Sequence, residues 1–180
     1  MFTKSAAGLT NACAPLSTVQ PDWTRESPKK RWDPGRRLIH SIRRYQYWRA
    51  RWGFLGRAIS KWHVAAHRWW SIVSGADIPL NTVIGGGFLL PHPNGVVINP
   101  GTTIGVNCIV FQQVTLGTRV GGGSPLIGGD VEIGAGAKVL GRVRISDHAR
   151  IGANAVVIAD VPEYAVAVGV PAVVVGTRSN

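Results

Sequence analysis

An apolar residue returns at every sixth position over much of the chain. From Ile127 the series runs Ile127, Ile133, Val139, Ile145, Ile151 and Val157, and upstream it runs Ile98, Ile104, Val110 and Leu116. Four residues after most of these stands a small or β-branched residue: Thr102, Cys108, Val114, Val131, Ala137, Val143, Ala149 and Ala155. A period of six matches neither the 3.6 of a helix nor the 2.0 of a strand. It fits short strands joined by tight corners, each strand sending one bulky side chain inward. Three such strands make one coil of a triangular prism, so the pattern predicts a parallel β-helix. Gly often follows the apolar position, as in Ile104-Gly105 and Ile133-Gly134, where a sharp corner needs a residue without a side chain. The register begins at Ile78, Ile84 and Leu90 and slips by two to Ile98. It breaks again over Thr118–Leu126 and resumes at Ile127.

A different pattern precedes this one. Leu38, Ile42, Tyr45, Trp48, Trp52, Leu55, Ile59, Trp62, Ala66 and Trp69 recur at steps of three or four. That spacing predicts one helical stripe, or two helices broken near Gly53–Gly56. Residues 1–35, with Pro15, Pro21, Pro28 and Pro34, predict loop that is ordered only where it docks. The chain therefore divides into an irregular segment 1–35, a helical segment 36–74, a β-helix 75–176 and a tail 177–180.

Charge sharpens that division. Residues 1–74 carry 14 Lys and Arg against three acidic residues, a net of +11, whereas residues 75–180 carry six of each sign. All seven Trp fall between Trp23 and Trp70. Two readings of the basic segment stand open. It is an accessory helix packed on the β-helix with a solvated Arg face, or it lies on an anionic membrane surface with Trp at headgroup level over residues 36–71. Nucleic acid is disfavoured as a partner, because no recognised motif accompanies the charge. No apolar run is long enough to span a bilayer. Met1 to Gln20 lacks a basic stretch followed by a continuous apolar core, so no signal peptide is expected. Cys13 and Cys108 make no disulfide framework and suit a reducing cytosol. Cys108 occupies the small-residue slot of its hexad and reads as packing.

Two irregularities carry candidate chemistry. The slip in register falls across Leu90-Pro91-His92-Pro93-Asn94-Gly95, where two prolines fix the backbone around His92. An imidazole is suited to accept a proton near neutral pH; the competing reading is a structural corner histidine. The second irregularity reads Thr-Arg-Val-Gly-Gly-Gly-Ser-Pro-Leu over residues 118–126. Its Gly run is not followed by Gly-Lys-Ser/Thr, so it is no P-loop. It is either a flexible lid or a passive surface loop.

Residues 77–176 resemble the left-handed β-helix domain of the hexapeptide-repeat acyltransferases, most closely serine acetyltransferases and their relatives in polysaccharide biosynthesis. The stretches that carry the resemblance are D-I-P-L-N-T-V-I-G-G-G-F-L-L-P-H-P-N-G-V-V-I, V-T-L-G, I-G-A-G-A-K-V-L-G, I-G-A-N-A-V-V and V-G-V-P-A. Left-handed winding is implied by the resemblance alone, since parallel crossovers are otherwise right-handed. The resemblance implies that His92 is the catalytic base and Asp77 its carboxylate partner. Fifteen residues separate them, which reads as one coil of about eighteen shortened by irregularity. It also implies acetyl-CoA as acyl donor, with no metal, and a homotrimer with CoA between neighbouring subunits. A backbone N–H near Gly117 or Thr118 would hold the oxyanion. Gly117, Ala135 and Ala153 match small positions along the CoA groove, and Lys138, Arg142, Arg144 and Arg150 are the candidate cations for its phosphates, with Lys138 the one assigned. A zinc hydrolase on the same fold needs three His, whereas the β-helix has only His92 and His148.

The sequence departs from the serine acetyltransferase pattern at the acceptor. Pro91 stands where an Asp usually precedes the catalytic His. Gly123-Ser124-Pro125 stands where an Arg-His-Pro grips the serine carboxylate. Arg119 is the one charge in the loop, and a basic Trp-rich segment replaces an acidic helical domain. Burying a zwitterion without charged partners is costly. The acceptor contacts are therefore assigned to Pro91, Arg119 and Ser124, and the expected acceptor is a sugar hydroxyl in glycan biosynthesis. L-Serine is the alternative, and a non-catalytic trimeric membrane-binding scaffold is the second alternative. The expected location is the cytoplasm, with peripheral contact at the inner face of the membrane.

Overall fold

The computed structural model describes residues 15–51 and 53–178, with the side chains at 54, 55 and 57 excepted. Cys13, and the Trp52 and Leu55 positions of the helical stripe, lie outside the described residues.

The hexads wind as a three-faced prism of parallel strands. Face one stacks Val97–Ile98, Thr115–Gly117, Lys138–Leu140 and Val156–Val157, with Asp77 bridged to Val97 above them. Face two stacks Val83–Ile84, Thr103–Ile104, Leu126–Ile127 and Arg144–Ile145. Face three stacks Ile109–Val110, Glu132–Ile133, Arg150–Ile151 and Ala165–Gly169, and Ala172–Thr177 closes it as an antiparallel strand. Every residue of the hexad series, from Ile84 to Val157, is buried in the prism. Each such Ile, Leu or Val contributes roughly 1.5–3 kcal/mol relative to exposure. Cys108 is among the small residues packed inside, as its slot predicts. Burial pushes its thiol up to about 12, and its Sγ donates to the Gly128 carbonyl at 3.0 Å.

A regular coil is three hexads long, as from Val97 to its partner Thr115. Both sequence irregularities lie at edges and leave the faces intact. Asp77 pairs with Val97, two positions beyond the regular spacing, and the added pair falls between faces three and one. Thr103 pairs with Leu126, five positions beyond the regular spacing, and that insertion falls between faces one and two. The coil that separates Asp77 from its partner is thus lengthened, which corrects the shortened coil expected from the spacing.

The edge between faces two and three is closed by the chain itself. Gly85, Gly105 and Gly128 stack in a column there, and a Cβ on Gly105 would stand 2.5 Å from the Gly128 carbonyl carbon. Beside them Asn107, Asp130, His148 and Tyr164 all have positive φ, between 50° and 62°. Their side chains hold the N-terminal segment and the C-terminal strand. Asn107 Nδ2 donates to the Ser17 and Gln20 carbonyls at 2.7 and 2.9 Å, and its Oδ1 accepts from Asp22 N at 2.8 Å. Buried Asp130 accepts from Leu16 N (3.1 Å), His148 Nδ1 (3.0 Å) and Arg178 Nη1 (3.1 Å). The His148 ring stacks on Tyr164 at 4.5 Å.

The helical segment caps the first coil. Helix α1 (Pro34–Arg51) starts two residues earlier than residue 36, with Pro34 at the first helical position after Asp33. Leu38, Ile39 and Ile42 are buried in one cluster with Ile78, Ile84, Phe88 and Leu90. Arg43, paired with Glu26 at 2.8 Å, donates to the Gly85 carbonyl at 2.7 Å, and Gln46 donates to the Leu80 and Thr82 carbonyls at 2.9 and 3.1 Å. These are carbonyls of a coil with no coil above it. Helix α2 (Gly53–Ser74) folds back against α1. It packs through Ser60, His63, Ala66, His67, Trp70 and Ser74. Of the two expectations, two helices broken near Gly53–Gly56 is the one observed, with α1 ending at Arg51 and α2 starting at Gly53; the buried stripe does not extend to Trp62 and Trp69, whose indoles are 80 % and 60 % exposed. A second helix that reverses direction restarts the 3.6-residue phase, so the stripe of α1 does not continue onto it.

Candidate active site

The edge between faces three and one carries His92. Pro91 and His92 are exposed at its top. The corner is tight, because Gly95 has φ +69° and a Cβ there would meet Gln113 Cγ at 3.1 Å. The strand bearing Asp77 is knitted to the chain just after His92. Gly95 N donates to the Gly75 carbonyl at 2.8 Å, Asp77 N to the Val96 carbonyl at 2.8 Å, and Ile98 N to the Asp77 carbonyl at 2.9 Å. The backbone thus brings the imidazole-bearing and carboxylate-bearing segments side by side. Among the described residues the His92 ring and the Asp77 carboxylate make no hydrogen bond, and both residues are exposed.

Farther down the same edge lie Ala135 and Ala153, followed on face one by Lys138. The Lys138 ammonium donates to the Gln113 and Gly136 carbonyls at 2.9 and 2.8 Å. These contacts hold the ammonium against the corner between faces three and one.

His67 on α2 lies off the hydrophobic stripe read from the sequence. Its Nε2 lies 2.8 Å from the Ile78 carbonyl, which can only accept, so Nε2 carries the proton. Burial lowers its pKa, and the hydrogen bond to Ile78 and the negative charge of Asp77 oppose that effect. A helix residue ten positions before Asp77 thus ties α2 to the strand that presents the carboxylate. No local sequence signal marks it, because the contact exists only once α2 has docked.

The edge between faces one and two carries the excursion loop. Gly117 and Thr118 end the face-one strand and lead into it. A Cβ on Gly117 would make ordinary 3.5 Å contacts with Leu140 and Thr115. Gly121, Gly122 and Gly123 have φ of 101°, 81° and 84°, a run that residues with side chains resist. Arg119 and Arg142 line a cleft of about 200 Å³ with Val120 and Leu140. Ser124 Oγ donates to Asn99 Oδ1 at 2.9 Å, which anchors the loop to the corner above.

The candidate residues therefore fall into two groups. Pro91, His92, Ala135, Lys138 and Ala153 line or adjoin one edge, with Asp77 beside it. Gly117, Thr118, Arg119 and Ser124 line another. A face of the prism separates the two groups within one chain.

Comparison with known proteins places this geometry. Residues 124–159 match the family model described as bacterial transferase hexapeptide (six repeats). A serine acetyltransferase of Mycobacterium tuberculosis is 46% identical over 115 residues, covering 62% of this chain and 50% of the relative. A serine acetyltransferase of Helicobacter pylori strain J99 is 37% identical over 139 residues, covering 76% of this chain and 74% of the relative. A solved serine acetyltransferase in complex with CoA superposes with a TM-score of 0.68 at 33% identity, covering 81% of this chain and 58% of that one. The chain thus spans about half the length of the Mycobacterium relative. The left-handed sense expected of the β-helix agrees with this match. Among the described residues no group of His, Cys, Asp and Glu could hold a metal ion, and no helix is long and apolar enough to cross a membrane.

Proposed function

The chain belongs to the serine acetyltransferase family of hexapeptide transferases, and from that premise we propose that it transfers an acetyl group from acetyl-CoA to the hydroxyl of L-serine. The observation that carries the reading is His92, exposed at a corner that the register slip builds and backbone hydrogen bonds tie to the Asp77 strand. His92 takes the proton of the acceptor hydroxyl. The resulting alkoxide attacks the thioester carbonyl carbon, and the tetrahedral oxyanion is met by a backbone N–H at Gly117 or Thr118. The C–S bond then breaks, and the CoA thiolate recovers the proton from the imidazolium. Asp77 steadies the cationic ring once substrate binding draws the two together.

This chemistry needs a second copy. His92 stands on one edge and the Gly117–Ser124 group on another, so a complete site forms where the first edge of one subunit meets the second edge of its neighbour. The third edge is covered by the chain's own N-terminal segment. Two usable edges per copy suit a closed ring, and we assign a homotrimer. Gly117, Ala135 and Ala153 would flank the pantetheine arm. Lys138 and the cleft lined by Arg119 and Arg142 supply cations for the CoA phosphates.

L-Serine takes precedence over the sugar hydroxyl because the relatives that span the chain carry the serine name. Pro91 and Ser124 remain as the departures that a serine site must accommodate. The basic hairpin supports a second, separate reading, peripheral contact with an anionic membrane, because Trp62, Trp69 and Ile72 are exposed on α2 beside Lys61 and Arg68. The test of the enzymatic reading is thiol release from acetyl-CoA with L-serine and, in parallel, nucleotide sugars. Turnover with serine, lowered on the order of 10²-fold or more by His92→Ala, supports the reading. Turnover only with a sugar restores the glycan reading, and silence with every acceptor favours a scaffold.

A further inference from the structure

We propose that the groove between α1 and α2 is a binding site for a phosphate group. This inference is independent of the acetyl-transfer reading, since the groove lies in the helical cap and uses none of its residues.

The groove holds a cavity of about 320 Å³, roughly ten times the ~30 Å³ that one water occupies in the liquid. Arg37, His40 and Arg44 line it from α1, and His63 and Trp70 line it from α2. No carboxylate lines it. Residues 34–74 contain eight Arg and one Lys but no Asp or Glu, so the two helices cannot neutralise the cavity from within. The nearby carboxylate of Glu26 is already engaged by Arg43 at 2.8 Å and by Phe88 N at 3.0 Å.

Arg37 adds an unmet need. Its Nη2 donates to the Arg31 carbonyl at 3.1 Å and its guanidinium lies 5.4 Å from the Trp70 ring centroid, but its Nε is buried without an acceptor. Buried donors are almost always paired, and an orphan calls for an explanation. Arg37 thus lines the cavity with a guanidinium whose donors the chain does not fully satisfy. Arg44 is exposed and has no hydrogen-bond or ion-pair partner among the described residues. The donors come from two helices and from several directions. A tetrahedral phosphate, with three or four acceptor oxygens, meets such a set better than a planar carboxylate with two.

The histidines report the same field. Burial lowers the pKa of His40, the positive charges of Arg44 and Arg37 lower it further, and Glu26 opposes them weakly. Burial and then Arg44 and His40 lower that of His63. A bound anion offsets the local positive charge and favours the protonated form of both rings.

A phosphate can arrive free in solution or on a lipid headgroup. Trp62 and Trp69 immediately precede His63 and Trp70, which sets the exposed indoles about 100° around α2 from the groove. A lipid source would engage them together with the groove, and a soluble one would not.

The experiment titrates the full chain with inorganic phosphate and pyrophosphate, with acetate at equal ionic strength as control, reading tryptophan fluorescence and thermal stability. A parallel arm measures co-sedimentation with phosphatidic acid vesicles against phosphatidylcholine vesicles. The expected result is saturable binding in at least one arm, absent with acetate and phosphatidylcholine, and weakened at least about tenfold by Arg37→Gln or Arg44→Gln. Arg44 bonds to nothing else among the described residues, so Arg44→Gln remains interpretable if Arg37→Gln unfolds the cap. Loss of vesicle binding alone in Trp62→Ala/Trp69→Ala assigns the lipid source, and binding of soluble phosphate unaffected by that variant assigns the soluble one. No binding in either arm, equal response to acetate, or equal affinity of Arg44→Gln and the parent overturns the proposal.

Discussion

A site built from two edges makes a quantitative prediction about mixtures of inactive chains. His92→Ala removes the base from one edge. Gly117→Trp is chosen to block the other; its Cβ would make ordinary 3.5 Å contacts with Leu140 and Thr115, and circular dichroism with size-exclusion chromatography checks that the variant folds and assembles. Each variant alone is expected to lose on the order of 10²-fold in turnover with an unchanged melting temperature. In trimers assembled at random from equal amounts of both, a site works when one subunit keeps His92 and its neighbour keeps Gly117. Every mixed trimer has one such interface among its three, so the tandem-purified mixture should recover about one third of the parent activity per site, against about one quarter for an unselected random assembly. The assay is co-expression with two different affinity tags, tandem purification of mixed oligomers, and thiol release from acetyl-CoA. If a single chain held the whole site, no subunit in the mixture would be intact, and activity would stay at the residual level of the parents. That result, obtained on oligomers shown to be mixed, would refute the two-edge argument.

Two further predictions concern stability. Asp130→Ala leaves Leu16 N, His148 and Arg178 without their shared acceptor; we expect a loss of about 3–5 kcal/mol in urea unfolding, with Asp130→Asn less damaging because it keeps one acceptor oxygen. His40, His63 and His67 all have pKa values lowered below the ordinary 6.5, chiefly by burial. The folded cap therefore binds fewer protons than the unfolded chain. Its contribution is fully present above about pH 6.5 and is lost as pH falls through the lowered values. Thermal melts from pH 7.5 down to 5 should fall, and a triple Gln variant should flatten the dependence.

The prism is legible in the sequence because its physics is periodic. Each inward Ile, Leu or Val meets the same neighbours one coil away, so burial repeats with the sequence, and the two breaks in register mark the two places where residues are added at edges. His92 is legible for the same reason, as the conspicuous side chain within a break. The side chains that join elements are not. Asp130 reads as an ordinary corner charge, and only the fold brings Leu16, His148 and Arg178 to it. His67 reads as part of a helical surface, and the reversal of α2 against α1 sets its contact with Ile78. The break near Gly53–Gly56 is legible from its glycines, but a step of three or four does not say which face of the second helix meets the first, so the exposure of Trp62 and Trp69 is set only by docking.

The α1 cap has a consequence for solubility. A stack of parallel strands ends in a row of unpaired backbone groups, and such a row is a template for another chain. At the first coil that row includes the carbonyls of Leu80, Thr82 and Gly85, and Arg43 and Gln46 occupy them. The cap occupies this row with its own donors and covers it with helix, so the strands of a second molecule cannot pair with it. Removing it would expose a flat terminus able to add a second prism along the same axis. The helical hairpin thus works as a stopper against fibre growth, and that role would keep it attached to this solenoid whatever ligand its groove accepts.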